Sequence, residues 1–322
     1  MRRHPNAAES DNRLTSGEQR AEIVSLGVWL VLVHMIWFYD WLTTSVKTDA
    51  GTSWTRAGQF GDLLGGYVGT IFALISVVLL FLTLTAQRRA TTSEAFESRY
   101  FELLRMHRDN VAEVEIQGSA GRKVFVLMMR EFRAILDIAR TESLRLRLEL
   151  SNQDLCRVAY YCLFYGVGPN SSRILRSSLS SFSDALTSAL EERLVDSKLR
   201  EEVKQYRKLG YEPFEGHQSR LGHYYRHLFQ CVDYASRAVD RSSRYGYVKI
   251  IRAQLSTHEQ ALLLLNSLTP VGRPWWDAGF IQTYRMVQNL PKNFFNPDSE
   301  LNLGELFNFD SLYFEWQESA AA

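Results

Sequence analysis

The 322-residue sequence predicts an all-α protein: a two-helix transmembrane hairpin, then a cytosolic α-helical bundle that ends in an irregular aromatic C-terminal tail. Three observations carry the prediction. Two apolar stretches, 23–46 and 63–86, are each long enough to cross a bilayer. From Gln87 onward, apolar residues recur at spacings of three and four, as on amphipathic helices. No β-rich run and no repeat of roughly 20–50 residues interrupts them.

Composition sets further bounds. A mean hydropathy of -0.20 is that of a soluble protein, so the average conceals an apolar first quarter and a polar remainder. A net charge of +1 does not by itself speak for nucleic acid, and that partner stays open. Arg outnumbers Lys, which fits phosphate recognition or genomic base composition equally well. Cys156, Cys162 and Cys231 show no paired spacing. They read as small buried residues in a reducing compartment and exclude both a disulfide framework and a zinc site.

Residues 1–22 are polar, with Arg2, Arg3, Arg13 and Arg20, and read as a cytosolic tail. Residues 23–86 form the hairpin, with spans at about 23–46 and 63–86. No small-residue cleavage site follows the first span and a second span does, so it is a retained helix rather than a signal peptide. Trp29, Trp37, Tyr39 and Trp41 suit interfacial belts. His34 lies near mid-span, either as a functional ionisable group or as a neutral imidazole bonded to the partner helix. The second span carries no charge from Leu63 to Ala86; at 1.5 Å per residue it measures roughly 36 Å against the ~30 Å hydrocarbon core. Gly61, Gly65, Gly69 and Ala73 recur every four residues, with Gly66 alongside. On a helix they form a stripe where a second helix can approach closely. Arginines crowd both outer flanks, so both termini belong in the cytoplasm.

Residues 87–116 continue helically as a juxtamembrane connecting helix: Phe96, Tyr100, Leu103, His107 and Val111 recur at three and four. The cytosolic domain occupies 117–322. A turn is expected at Gly118–Gly121, a helix over 122–150, and a central aromatic-rich helix over 153–166. Gly166-Val-Gly-Pro169 breaks it; without a preceding strand or a third glycine this is no dinucleotide fingerprint. One or two surface helices follow over 172–209, then a loop over 211–219. Leu221, Tyr225, Leu228, Val232 and Ala235 give helix 220–239 an apolar stripe, and helicity continues over 244–254. Ser256 and Glu259 have the spacing of a capping box ahead of a buried helix that ends near Pro270. The remaining tail, rich in Trp, Phe, Asn and Pro, folds over the helices with little regular structure.

The richest polar cluster lies on helix 220–239. At about 100° per residue, Arg220, His223 and His227 fall within about 60° of one another, with Gln230 and Tyr234 nearby, while Arg226 points elsewhere. Three chemistries compete. Arg220 and His227 fit the arginine-to-histidine spacing of HEPN-type helical ribonucleases, in which Arg binds the scissile phosphate and His acts as acid or base. His223 and His227 could be half of a metal site whose third ligand would come from His107, His258 or a distant carboxylate, but the HExxH motif is absent and no metal is assigned. Otherwise the cluster of His107, Arg108, His223, Arg226 and His227 is a structural or ligand-sensing network. No phosphate loop, nucleophile elbow or paired-cysteine motif is present, so no catalytic residue and no cofactor is expected.

Gln59-Phe-Gly-Asp-Leu-Leu-Gly-Gly66 at the head of a span, and Phe96-Glu-Ser-Arg-Tyr-Phe-Glu-Leu-Leu-Arg-Met-His107, resemble the putative phage abortive infection protein family. So do Leu221-Gly-His-Tyr-Tyr-Arg-His-Leu-Phe-Gln230, Arg252-Ala-Gln-Leu-Ser256 and Leu264-Leu-Asn266. The resemblance covers residues 23–270. It implies a multi-pass protein of the bacterial inner membrane that limits phage spread, and it carries over no catalytic residues. The expected reading is a non-enzymatic antiphage effector: the cytosolic domain senses infection or a partner, and the hairpin perturbs the membrane. Expected partners are the lipid bilayer, further copies of the chain, and another defence-system or phage component. A membrane-tethered ribonuclease and a scaffold that recruits another defence protein are the alternatives.

Overall fold

The computed structural model describes residues 29, 32–41, 43–44, 47–48, 51–52, 54–168, 171–238, 240–296, 301, 303–307, 309 and 313–316. The chain divides into two units, residues 1–90 and 91–322.

In the first unit, the polar tail 1–22 and parts of the predicted span 23–46 lie outside the described residues. The described part of 29–44, which includes His34, is helical. β1 (Lys47–Thr48) and β2 (Gly51–Thr52) pair antiparallel. Next, α1 (Trp54–Leu63) passes through a π turn, Leu64–Val68, into α2 (Gly69–Glu113). The continuous helix Ala57–Glu113 is the one described helix long and apolar enough to cross a membrane. Its most apolar window has a mean hydropathy of 2.5 and no buried residue. Leu80 and Phe81 stand 69% and 67% exposed. Polar groups inside this run are satisfied locally: Ser76 donates to Phe72 O and Thr83 to Leu79 O, each at 2.8 Å. Such back-bonding is what a hydroxyl needs where no water is available. A Cβ added at Gly61, Gly65, Gly66 or Gly69 would meet no atom within 4 Å. The π turn runs through Gly65 and Gly66. Its hydrogen bonds reach one residue further than those of an α-helix, so the expected four-residue ladder is not a regular α-helical stripe there.

The second unit begins inside α2. Tyr100, Leu104, His107 and Val111 are buried, at the four–three–four spacing of one helix face. β3 (Glu115–Ile116) and β4 (Ser119–Ala120) then form a small antiparallel hairpin. Its two-residue turn is Gln117–Gly118, both at positive φ (41° and 80°) as a tight hairpin of this length requires. The turn therefore precedes the predicted Gly118–Gly121 position, and Ser119 and Ala120 are strand.

α3 (Arg122–Arg145) and α4 (Asn152–Tyr165) pack against each other at the centre. Ser151 caps α4, its hydroxyl accepting from Asp154 N–H at 3.0 Å. α5 (Ser172–Ser178), α6 (Asp184–Val195) and α7 (Ser197–Tyr206) occupy the region expected to be surface helices. Only α7 lacks buried residues; Leu175, Leu186, Leu190 and Leu194 place α5 and α6 against the core. In helices this short, a handful of leucines seats the helix without a long apolar period to announce it.

α8 (Gln218–Ser236), α9 (Arg241–Gln254) and α10 (Thr257–Ser267) complete the bundle. The capping box is formed: Ser256 and Glu259 exchange side-chain-to-backbone hydrogen bonds at 3.3 and 2.7 Å. Residues 259–267 are all buried, so α10 is enclosed on every side. The tail crosses this bundle through α11 (Pro274–Asp277), α12 (Phe280–Thr283) and α13 (Leu303–Leu306). Arg133 clamps it by donating to Phe294 O at 2.7 Å and Phe295 O at 3.1 Å. The Trp316 indole donates to Leu290 O at 3.0 Å. The three cysteines are free and buried, and burial pushes each thiol up to about 12.

Candidate functional site

The chain enters α8 through a loop, 211–217, that has no regular structure yet buries Tyr211, Pro213, Phe214 and His217. One carboxylate organises it. Glu131 accepts from the Tyr211 hydroxyl at 2.5 Å and from Phe214 N–H at 2.7 Å, and His217 Nε2 lies 2.7 Å away. Burial alone would push the Glu131 carboxyl up. The facing His217 and these hydrogen bonds outweigh burial and hold it below its ordinary value. Phe214, at φ 70°, is a bulky side chain in the left-handed region. Two backbone hydrogen bonds hold it there: its N–H to Glu131, and its carbonyl accepting from Val167 N–H at 2.8 Å.

This loop crosses the end of α4 at a glycine pair. A Cβ on Gly216 would collide with the Tyr165 carbonyl, and one on Gly166 with the Glu215 backbone. Both glycines also have positive φ, 88° and 72°. His217 N–H donates to Phe164 O at 2.9 Å, completing the crossing. A second close approach lies in the turn after α10, where a Cβ on Gly272 would collide with the Asn266 carbonyl. One pocket of about 720 Å³ draws its lining from three segments. The end of α4 supplies Phe164 and Tyr165, and residues 266–275 supply Asn266, Val271, Pro274 and Trp275. α8 supplies Gln218, Ser219, Gly222, His223, Tyr225, Arg226, Phe229 and Gln230. The Phe229 ring meets Trp275 edge-on at 5.2 Å, an arrangement that holds both rings in place.

The predicted polar cluster is therefore divided. His223 and Arg226, which the helical wheel set apart, share the pocket. His227 instead faces His107, their rings parallel with centroids 6.1 Å apart. Both ring nitrogens of His107 and Nε2 of His227 are buried with no hydrogen-bond partner among the described residues. Burial, with His227 and Arg122 adding to it, pushes the His107 imidazole down to about 4. Burial and then His223 push His227 down as well. Cys231 Sγ lies 3.6 Å from His227 Nδ1. Arg220 donates to Glu115 O at 2.8 Å, tying α8 to β3. Neither Arg220 nor His227 lines the pocket. Arg108 is exposed. Among the described residues no group of three His, Cys, Asp or Glu side chains could hold a metal ion.

The buried carboxylates were missed by the sequence reading, although a signal exists. Val124, Met128, Glu131 and Ile135 follow the four–three–four spacing of a core face, and Glu131 is the one polar member. Glu259 fills a second role besides its cap: it accepts from the Tyr224 hydroxyl at 3.0 Å.

Residues 216–295 match the family model described as putative phage abortive infection protein. This is the family that the motifs resemble, and the matched segment holds every lining residue of the pocket except Phe164 and Tyr165. The motifs at 59–66 and 96–107 lie outside it. No curated protein and no solved structure matches the chain.

Proposed function

We propose that this chain is an abortive infection effector of a bacterial inner membrane. Its helical unit senses infection at the α8 pocket, and its N-terminal quarter, a two-span hairpin with both termini in the cytoplasm, perturbs the bilayer. The observation that carries the membrane role is the apolar window of the helix Ala57–Glu113, none of which is buried among the described residues. So large an apolar surface calls for lipid or for further copies of itself. The family match on 216–295 supports the defence role. One unbroken helix carries both the apolar window and the core residues Tyr100, Leu104, His107 and Val111. A rearrangement of the bundle thus has a covalent route to the span.

The test is membrane potential and dye leakage in phage-infected cells, comparing wild type with Gly65→Leu and His227→Ala. A Cβ at Gly65 meets no described atom within 4 Å, so leucine there tests helix contacts that the described residues do not make. The expected result is depolarisation in wild type and His227→Ala, lost in Gly65→Leu at equal expression. Depolarisation retained in Gly65→Leu refutes the packing role. RNA cleavage lost together with protection in His227→Ala favours the ribonuclease alternative.

A further inference from the structure

We infer that the α8 pocket binds a nucleoside monophosphate, a planar base joined to a phosphate. The inference deepens the reading of this pocket as the sensing site, and it does not depend on what the membrane helix does. Its volume, about 720 Å³, lies in the range of small-ligand sites, roughly 300–1,000 Å³.

The lining separates into two chemistries. The aromatic members are Tyr165 and Phe229, both partly exposed, and the buried Tyr225 and Trp275. Exposed rings of this kind stack on any nucleobase, whatever its edge. The polar members carry a single full charge, Arg226, with His223 one turn before it on α8. Among the described residues Arg226 forms no ion pair or hydrogen bond, and no carboxylate lines the pocket. A guanidinium left unneutralised beside aromatic walls suits a phosphate, which it grips bidentately. Gln218 and Gln230 supply amide donors and acceptors suited to a base edge or ribose hydroxyls.

Gly222 leaves room for an occupant. It lies inside α8, where glycine is less stable than alanine. A Cβ there would meet no described atom within 4 Å. The space above Gly222 is the pocket itself, and the missing side chain keeps it open.

The experiment is isothermal calorimetry on the full chain purified in detergent, with adenosine, guanosine, cytidine and uridine 5′-monophosphates, then adenosine and inorganic phosphate. The inference expects at least one nucleotide to bind saturably at sub-millimolar concentration. Arg226→Gln and Gly222→Leu should each weaken that binding about tenfold or more, the first by removing charge-assisted hydrogen bonds and the second by filling the space. The matching nucleoside and inorganic phosphate should each bind at least about tenfold more weakly than the nucleotide. Arg226 is exposed and a Cβ at Gly222 meets no described atom within 4 Å, so neither variant should melt below wild type. Absence of binding by all four nucleotides overturns the inference, as does binding that both variants leave unchanged. Inorganic phosphate binding as tightly as the nucleotide overturns the role given to the aromatic rings. Depolarisation without nucleotide binding sinks this inference alone, and nucleotide binding without depolarisation sinks the membrane reading alone.

Discussion

His107 makes the stability of the bundle depend on pH within a narrow window. The ring is 1% exposed, its nitrogens have no partner among the described residues, and it faces His227 and Tyr224 of α8, with Arg122 close enough to repel a proton. Folding therefore holds the imidazole neutral down to about pH 4, whereas in the unfolded chain it takes a proton near 6.5. Between those two values the unfolded state binds a proton that the folded state refuses, so stability falls as pH falls. Above about 7 the term vanishes. Linkage over this gap gives a loss of about 2 kcal/mol between pH 7.5 and 5, and about 3 kcal/mol by pH 4. Burial also lowers the value for His227, which adds to the loss with the same sign. Glu131, held below its ordinary 4.5, also destabilises the fold as pH falls, but only in more acid solution. Urea titrations of the purified chain in detergent, followed by circular dichroism at half-unit steps from pH 7.5 to 5, isolate the histidines. His107→Phe keeps a ring of similar bulk and removes the proton site, so its stability should change by about 2 kcal/mol less than wild type over that range. Parallel pH profiles for the two proteins would refute the reasoning.

The loop ahead of α8 gives two further expectations. Gly216→Ala puts a Cβ against the Tyr165 carbonyl at a φ of 88° and should lower unfolding free energy by at least about 2 kcal/mol in the same titrations; an unchanged midpoint would show that the crossing is slack. Glu131→Ala strands Tyr211, Phe214 N–H and His217 together. It should cost about 3–5 kcal/mol, seen as early proteolysis within 207–217, and a variant as protease-resistant as wild type would count against this buried network.

The helices were legible because their apolar spacing is long and regular. Tyr100, His107 and Val111, read as one face from the sequence, are buried together, although Leu104 rather than Leu103 completes that face, and the Ser256–Glu259 cap needs only three residues of separation to be seen. The pocket was not legible, for a physical reason. Its lining comes from α4, α8 and residues 266–275, and the crossing of Gly166 with Gly216 joins segments far apart in the chain. A helical wheel ranks Arg220, His223 and His227 by angle alone. What separates them in space is the partner each finds: the Glu115 carbonyl for Arg220, His107 for His227, the pocket for His223. The loop 211–217 was read as an ordinary connection because nothing periodic marks it; its burial follows from Glu131, a lone acid on an apolar face.

The inert thiols have a practical consequence. Cys156, Cys162 and Cys231 are the chain's only cysteines, and each is sequestered and held in the unreactive protonated form at neutral pH. A maleimide should pass over the native protein and modify only a cysteine introduced on purpose. Residues 70–86 can thus be scanned one position at a time from the natural sequence, with no cysteine-free background to build first. The depth of each probe in the lipid, and any change in it on infection, then becomes directly measurable.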